Sequence, residues 1–122
     1  MVEDVDLSGV ERDMFVIFYS GFLKSEGYGG ERYFRQHPQL SHGLIDALLD
    51  KGVSMIGVDF AGVRRGKEHT VTDQRCADRG TFVIENMDHL EKLPKGRDFV
   101  VRTFPMSYEG MTGLPCRIVA EI

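Results

Sequence analysis

Apolar residues in this chain fall into short dense runs separated by polar, glycine-rich stretches. The first run, Asp13 to Ser20, is continuously apolar from Met14 to Tyr19 and stops at Gly21; its length and its aromatic and β-branched content predict a buried strand. Gly27, Gly29 and Gly30 mark a loop around Tyr28, and Arg32 to His37 predicts a short helical turn ended by Pro38. Between Ser41 and Lys51 the period changes. Leu44, Ile45, Leu48 and Leu49 share one helical face, Ser41 supplies an N-cap, and Gly52 follows as the C-cap. Val53 to Asp59 is a second dense run and predicts another buried strand, so helix, short turn and strand form half of an α/β unit.

Phe60 to His69 reads as a loop. Thr70-Val-Thr-Asp73 fits a capping box and predicts a short helix from there to Arg79, stopped by Gly80. Thr81 to Ile84 predicts a third strand, and Asn86 to Leu93 a turn or short helix closed by Pro94-Lys-Gly96. Asp98 to Phe104 predicts a fourth strand whose apolar content is too dense for one wet face. Glu109 to Gly113 is a loop, after which Cys116 to Ile122 alternates strictly, the pattern of a half-buried strand near an edge. Residues 1–12 show no period and read as a lead-in; residues 13–122 read as a single α/β domain, a mixed sheet with short flanking helices.

Composition narrows the class of protein more than its chemistry. A chain of 122 residues, 42% hydrophobic and 28% charged, is expected to fold as one small domain without staples rather than stay disordered. A net charge of −4 with no basic stripe argues against a nucleic-acid partner; the one basic cluster, Arg64-Arg65-Gly66-Lys67, reads as solvent-facing. No apolar run is long enough to cross a bilayer, so no membrane partner is expected. Cys76 and Cys116 match no metal spacing. Behind an acidic start that lacks the layout of a signal peptide, they read as reduced thiols in a cytoplasmic protein.

The candidate chemistry centres on Glu85, which ends an apolar run at the carboxyl end of its strand, where open α/β sheets gather ligands. A carboxylate buried there needs a cation, a donor network or water. Two readings stay open: a strand-end Glu bonded to backbone amides, or a ligand for a Zn²⁺- or Mn²⁺-like cation. His69, before the expected helix start, is either exposed or a second metal ligand or proton carrier. Asp73 is accounted for as a helix-capping carboxylate, Asp59 as a residue that fixes its loop by hydrogen bonds, and His37, His42 and His89 as structural or turn residues. Nothing in the sequence lowers the pKa of Cys76. There is no triad, phosphate loop or HExxH, and no catalytic residue is assigned.

Several segments, taken in order, resemble the carboxyl-terminal half of the cyclase family of metal-dependent hydrolases, which includes kynurenine formamidase. DMFVIFYSGF is similar to that family's strand into a Thr-Gly or Ser-Gly turn. HPQLSHGLIDALLDKGVSMIGVDFAGV resembles its helix and following strand, FVIENMDHLEKLP its Ile-Ile-Glu-Asn-Leu segment, and FPMSYEGMTGLPCRIVA its closing strand. Together these cover residues 12–121. The resemblance implies a swivelling β/β/α fold, incomplete relative to the family, and a homo-oligomer. It also implies one or two divalent ions, zinc or manganese, that activate water to hydrolyse a small amide or formamide such as N-formylkynurenine.

The resemblance places a metal ligand at Glu85. The family's main motif, His-x-Gly-Thr-His-x-Asp with a further His, is absent, and the histidine expected about three helical turns before the Glu falls on Asp73 and Gln74. His69 would substitute only if its loop folds back. The expected count is therefore one or two ligands, with weak metal binding and no activity for the chain alone. The expectation is a portion of a longer hydrolase, with sheet edges left open and tight self-association; the other readings are a non-catalytic assembly or ligand-binding module on the same fold, or a chain completed by a partner.

Overall fold

A computed structural model describes the whole chain, Met1–Ile122. Its elements are β1 (Phe15–Phe18), α1 (Phe22–Glu26), α2 (Glu31–Arg35), α3 (His42–Lys51), β2 (Met55–Val58), α4 (Lys67–Asp78), β3 (Phe82–Ile84), a 3-10 turn at Leu90–Lys92, β4 (Val100–Pro105) and β5 (Cys116–Glu121). The α/β class expected from the sequence is the class observed. Contacts gather into two compact units, Met1–Glu91 and Lys92–Ile122, where the sequence pattern had run 13–122 together.

In the first unit β1, β2 and β3 form a parallel sheet in that order, with Phe18 beside Val58 and Gly57 beside Ile84. All three strands therefore end at the same edge, and the residues that follow them, Ser20, Asp59 and Glu85, sit along one rim. Parallel pairing demands long crossovers, and α1–α3 and α4 supply them. Leu44, Ile45, Leu48 and Leu49 of α3 are buried with Ile56, Val58, Phe60 and Val63, forming the core beneath the sheet. The caps of α3 are those expected: Ser41 Oγ accepts from Leu44 N at 3.0 Å, and Gly52 closes the helix in the left-handed region at φ 71°. The lead-in is part of this unit: Val2 bridges Leu40, and Val2, Leu7 and Val10 lie against the core.

Four local expectations need correction. Phe22–Glu26, left without an element in the sequence pattern, is a helix. α4 begins at Lys67 after Gly66, so Thr70 lies inside the helix and caps nothing. Arg64 is not solvent-facing: it is buried, donating from Nε to Glu68 Oε2 at 2.7 Å and from Nη1 to the Leu40 carbonyl at 2.9 Å. A buried guanidinium with both a carboxylate and a carbonyl partner is tolerable where an unpaired one is not. The strand expected at Asp98–Phe104 is observed as β4, but Val100, Arg102 and Phe104 are exposed and only Val101 and Thr103 are half-buried, so a wet face exists after all. β4 pairs antiparallel with β5 from Val100 opposite Glu121 to Pro105 opposite Cys116, and β5 shows the expected alternation.

Candidate metal centre

α4 is a polar helix with a narrow inward face. Thr72 and Cys76 are its buried residues, and His69 and Asp73, one turn apart, sit half-buried beside them. β3 runs back alongside α4 and ends at Ile84, so the next residue, Glu85, meets that face. His69 Nε2 lies 3.1 Å from Asp73 Oδ2 and 3.4 Å from Glu85 Oε2. One donor atom from each of His69, Asp73 and Glu85 falls within 4.8 Å of the other two.

This arrangement alters the expectations for all three residues. His69 is in the first turn of α4 rather than in a loop, and reaches Glu85 with no folding back. Asp73 is not a cap: its Oδ2 faces His69, while Oδ1 is buried without any partner. Glu85 stands just past the strand rather than within the sheet, and its side chain is 37% exposed, facing the other two donors. Three donor-bearing residues therefore converge where the sequence pattern counted two at most. Asp73 is the one missed; the available signal was its i,i+4 spacing from His69.

The electrostatics follow from placing two carboxyls together at a partly dry rim. Burial pushes the Asp73 carboxyl above its usual range, against the opposing pull of His69. Burial also raises Glu85, with Asp73's charge adding to the rise and His69 opposing it. An anionic pair with one imidazole between them and one orphan oxygen is short of positive charge and of donors.

The surroundings hold the donors in place. Asn86 adopts a left-handed φ of 58°, turning the chain after Glu85; its N–H donates to the Phe60 carbonyl, and its Oδ1 accepts from Tyr33 Oη at 2.7 Å. Tyr33 is fully buried, and burial, with the charges of Asp59 and others including Glu85, pushes its hydroxyl up to about 12, so it stays a donor. Asp59 does what was expected of it: its carboxylate accepts from Ser20 N, Ser20 Oγ and Gly21 N at 2.7–3.0 Å, tying the end of β1 to the end of β2. His37 is buried against Phe60 and donates from Nδ1 to the Pro38 carbonyl; burial keeps its pKa low. His42 and His89 are exposed and pair with nearby carboxylates. Cys76 is buried, and burial raises its thiol pKa, so it is no nucleophile. Cys116 is also a free thiol. No helix is long and apolar enough to cross a membrane.

Neither a protein-family model nor a curated protein sequence matches the chain. A solved structure of a potential metal-dependent hydrolase with cyclase activity shares the fold: the TM-score is 0.71 at 21% identity, over 89% of this chain. The match takes in 51% of that protein, so this chain spans about half its length.

Proposed function

We propose that this chain is the carboxyl-terminal portion of a metal-dependent hydrolase and that His69, Asp73 and Glu85 are its contribution to the metal centre. The observation that carries the reading is the convergence of one donor atom from each of those three residues within 4.8 Å, beside an Asp73 carboxyl whose other oxygen, Oδ1, is buried and unpartnered. One imidazole nitrogen and two carboxylate oxygens suit zinc or manganese, and three protein ligands with a position left open is the form a catalytic site takes. A divalent cation held there supplies an acidified water and polarises a carbonyl.

The chain's own residues have distinct parts. Asp73 and Glu85 bring negative charge to a site whose burial disfavours it, and so favour a cation. His69 presents Nε2 toward both, which requires the ring proton on Nδ1 when a metal is ligated. The substrate class is a small amide or formamide of the N-formylkynurenine type, by resemblance to the cyclase family. The His-x-Gly-Thr-His motif of that family is absent here, so the chain binds the ion and a further segment or subunit completes hydrolysis.

A second reading has its own support. His69 already lies within ion-pair distance of both carboxylates, so the imidazole itself ties the two together, an arrangement that suits a non-catalytic binding or assembly module. Metal content separates the two readings. The purified chain, equilibrated with Zn²⁺ or Mn²⁺ and dialysed, is expected to retain one ion, and Glu85→Gln to lose it. Formamidase activity is expected only when the chain is supplied with the amino-terminal half of a related hydrolase. A wild-type chain that retains no ion overturns the hydrolase reading and leaves the second.

A further inference from the structure

We propose that Gly62 is the positioning residue of the His69–Asp73–Glu85 cluster: its missing side chain is the seat of the His69 ring. The proposal rests on the metal-centre reading for its functional meaning, but its geometry stands apart from it. Gly62 lies in the buried stretch Phe60–Arg64 between β2 and α4. A Cβ built on Gly62 would fall 2.8 Å from Cε1 of His69, 3.1 Å from Nδ1 and 3.2 Å from Nε2. Three ring atoms at so similar a distance mean that the imidazole rests against the Gly62 backbone. The ring has Gly62 on one side, while its Nε2 faces Asp73 and Glu85.

Two independent demands for glycine coincide here. The first is steric: any side chain displaces the ring and carries Nε2 away from the two carboxylates. The second is conformational: φ at Gly62 is +136°, where side-chain-bearing residues are strained. The second alone would make Gly62 a turn residue with no bearing on the cluster. The first makes it part of the cluster, because the ring that rests on Gly62 is the one whose Nε2 faces Asp73 and Glu85, so a Cβ at position 62 shifts that nitrogen relative to both carboxylates.

A double-mutant cycle on the full chain separates the two demands, and Zn²⁺ alone is the titrant for binding. Gly62→Ala is expected to weaken Zn²⁺ binding by about tenfold or more, the scale of losing a group that orients a ligand. In a His69→Ala background, which lacks one of the three ligands, the cycle is read as thermal stability, and the same change is expected to cost less there than in the wild type because the ring it displaces is gone. Binding by Gly62→Ala equal to wild type overturns the proposal, and so does an equal loss of thermal stability in both backgrounds. If Gly62→Ala alone fails to fold, recovery of folding in the double variant supports the proposal, and failure of both overturns it. A readout without metal is the nuclear Overhauser contact between His69 Hε1 and the Gly62 α-protons. That contact present with no Zn²⁺ bound by the wild type sinks the metal-centre reading but leaves the positioning role supported; its absence overturns the proposal.

Discussion

Asp73 and Glu85 sit where their own charge is disfavoured, and this has a signature in stability. Both carboxyls have a folded pKa above the ordinary values of 3.8 and 4.5, with burial the first cause. The folded chain thus binds those protons more tightly than the unfolded chain. The stabilisation is fully present below the ordinary values and is lost as pH rises through the raised ones. In the metal-free protein Glu85→Gln is therefore expected to raise thermal stability at neutral pH, by about 1 kcal/mol at most because solvent screens the partly exposed site, and to flatten the pH dependence of the melt. On the metal-centre reading, added Zn²⁺ or Mn²⁺ is expected to reverse the ranking, stabilising the wild type and leaving the variant unmoved. On the same reading the raised pKa values are expected to make metal affinity fall off, as pH is lowered, sooner than at a site with ordinary carboxyls; a metal titration across the acidic range checks this. Tyr33→Phe removes the donor to Asn86 Oδ1, and a loss of about 1 kcal/mol in chemical denaturation is expected, with weaker metal binding because the turn carrying Glu85 is less held.

Among the elements, α3 and α4 show opposite relations between pattern and outcome. α3 has a cap, an apolar face and a glycine stop that agree with one another, and all three are observed. Ser41→Ala is expected to cost about 1 kcal/mol, and Leu48→Ala about 2–5 kcal/mol, read from urea midpoints. α4 has a cap-like motif within it and few apolar residues, and the motif misleads. Thr70 is exposed and inside the helix, so Thr70→Ala is expected to change stability by less than about 0.5 kcal/mol; a loss as large as that of Ser41→Ala would restore Thr70 as the cap. The reason α4 starts early is tertiary. Arg64, buried and bonded to Glu68 and to Leu40, ties the first turn to the core where local propensity alone would start it later.

For the molecule as a whole, the three-stranded sheet ends at β1 on one side and β3 on the other, and Phe82 on β3 is 61% exposed. Open parallel edges invite further pairing. Self-association is expected, with size-exclusion chromatography giving an apparent mass above 13.8 kDa that rises with concentration; a monomer at high concentration would count against it. Charge at Phe82, as Phe82→Lys, is expected to reduce the association while sparing the His69–Asp73–Glu85 cluster, since the edge and the cluster share no residue.

What the chain carries locally it revealed locally. Dense apolar runs marked the strands, the i, i+4 face and its caps marked α3, and strict alternation marked β5, because each depends on neighbours a few residues away. Glu85 and His69 could be singled out one at a time, as a carboxylate ending an apolar run and a histidine near a helix start. Their meeting could not be read, and the third member was signalled only by its four-residue spacing from His69. Asp73 looked like a cap, and Gly62 drew no notice at all. Those assignments depend on where β3 lies beside α4 and on what stands against the far side of an imidazole. They are contacts between side chains on separate elements, the loop after β2, the first turns of α4 and the end of β3, and the packing of those elements against one another sets them.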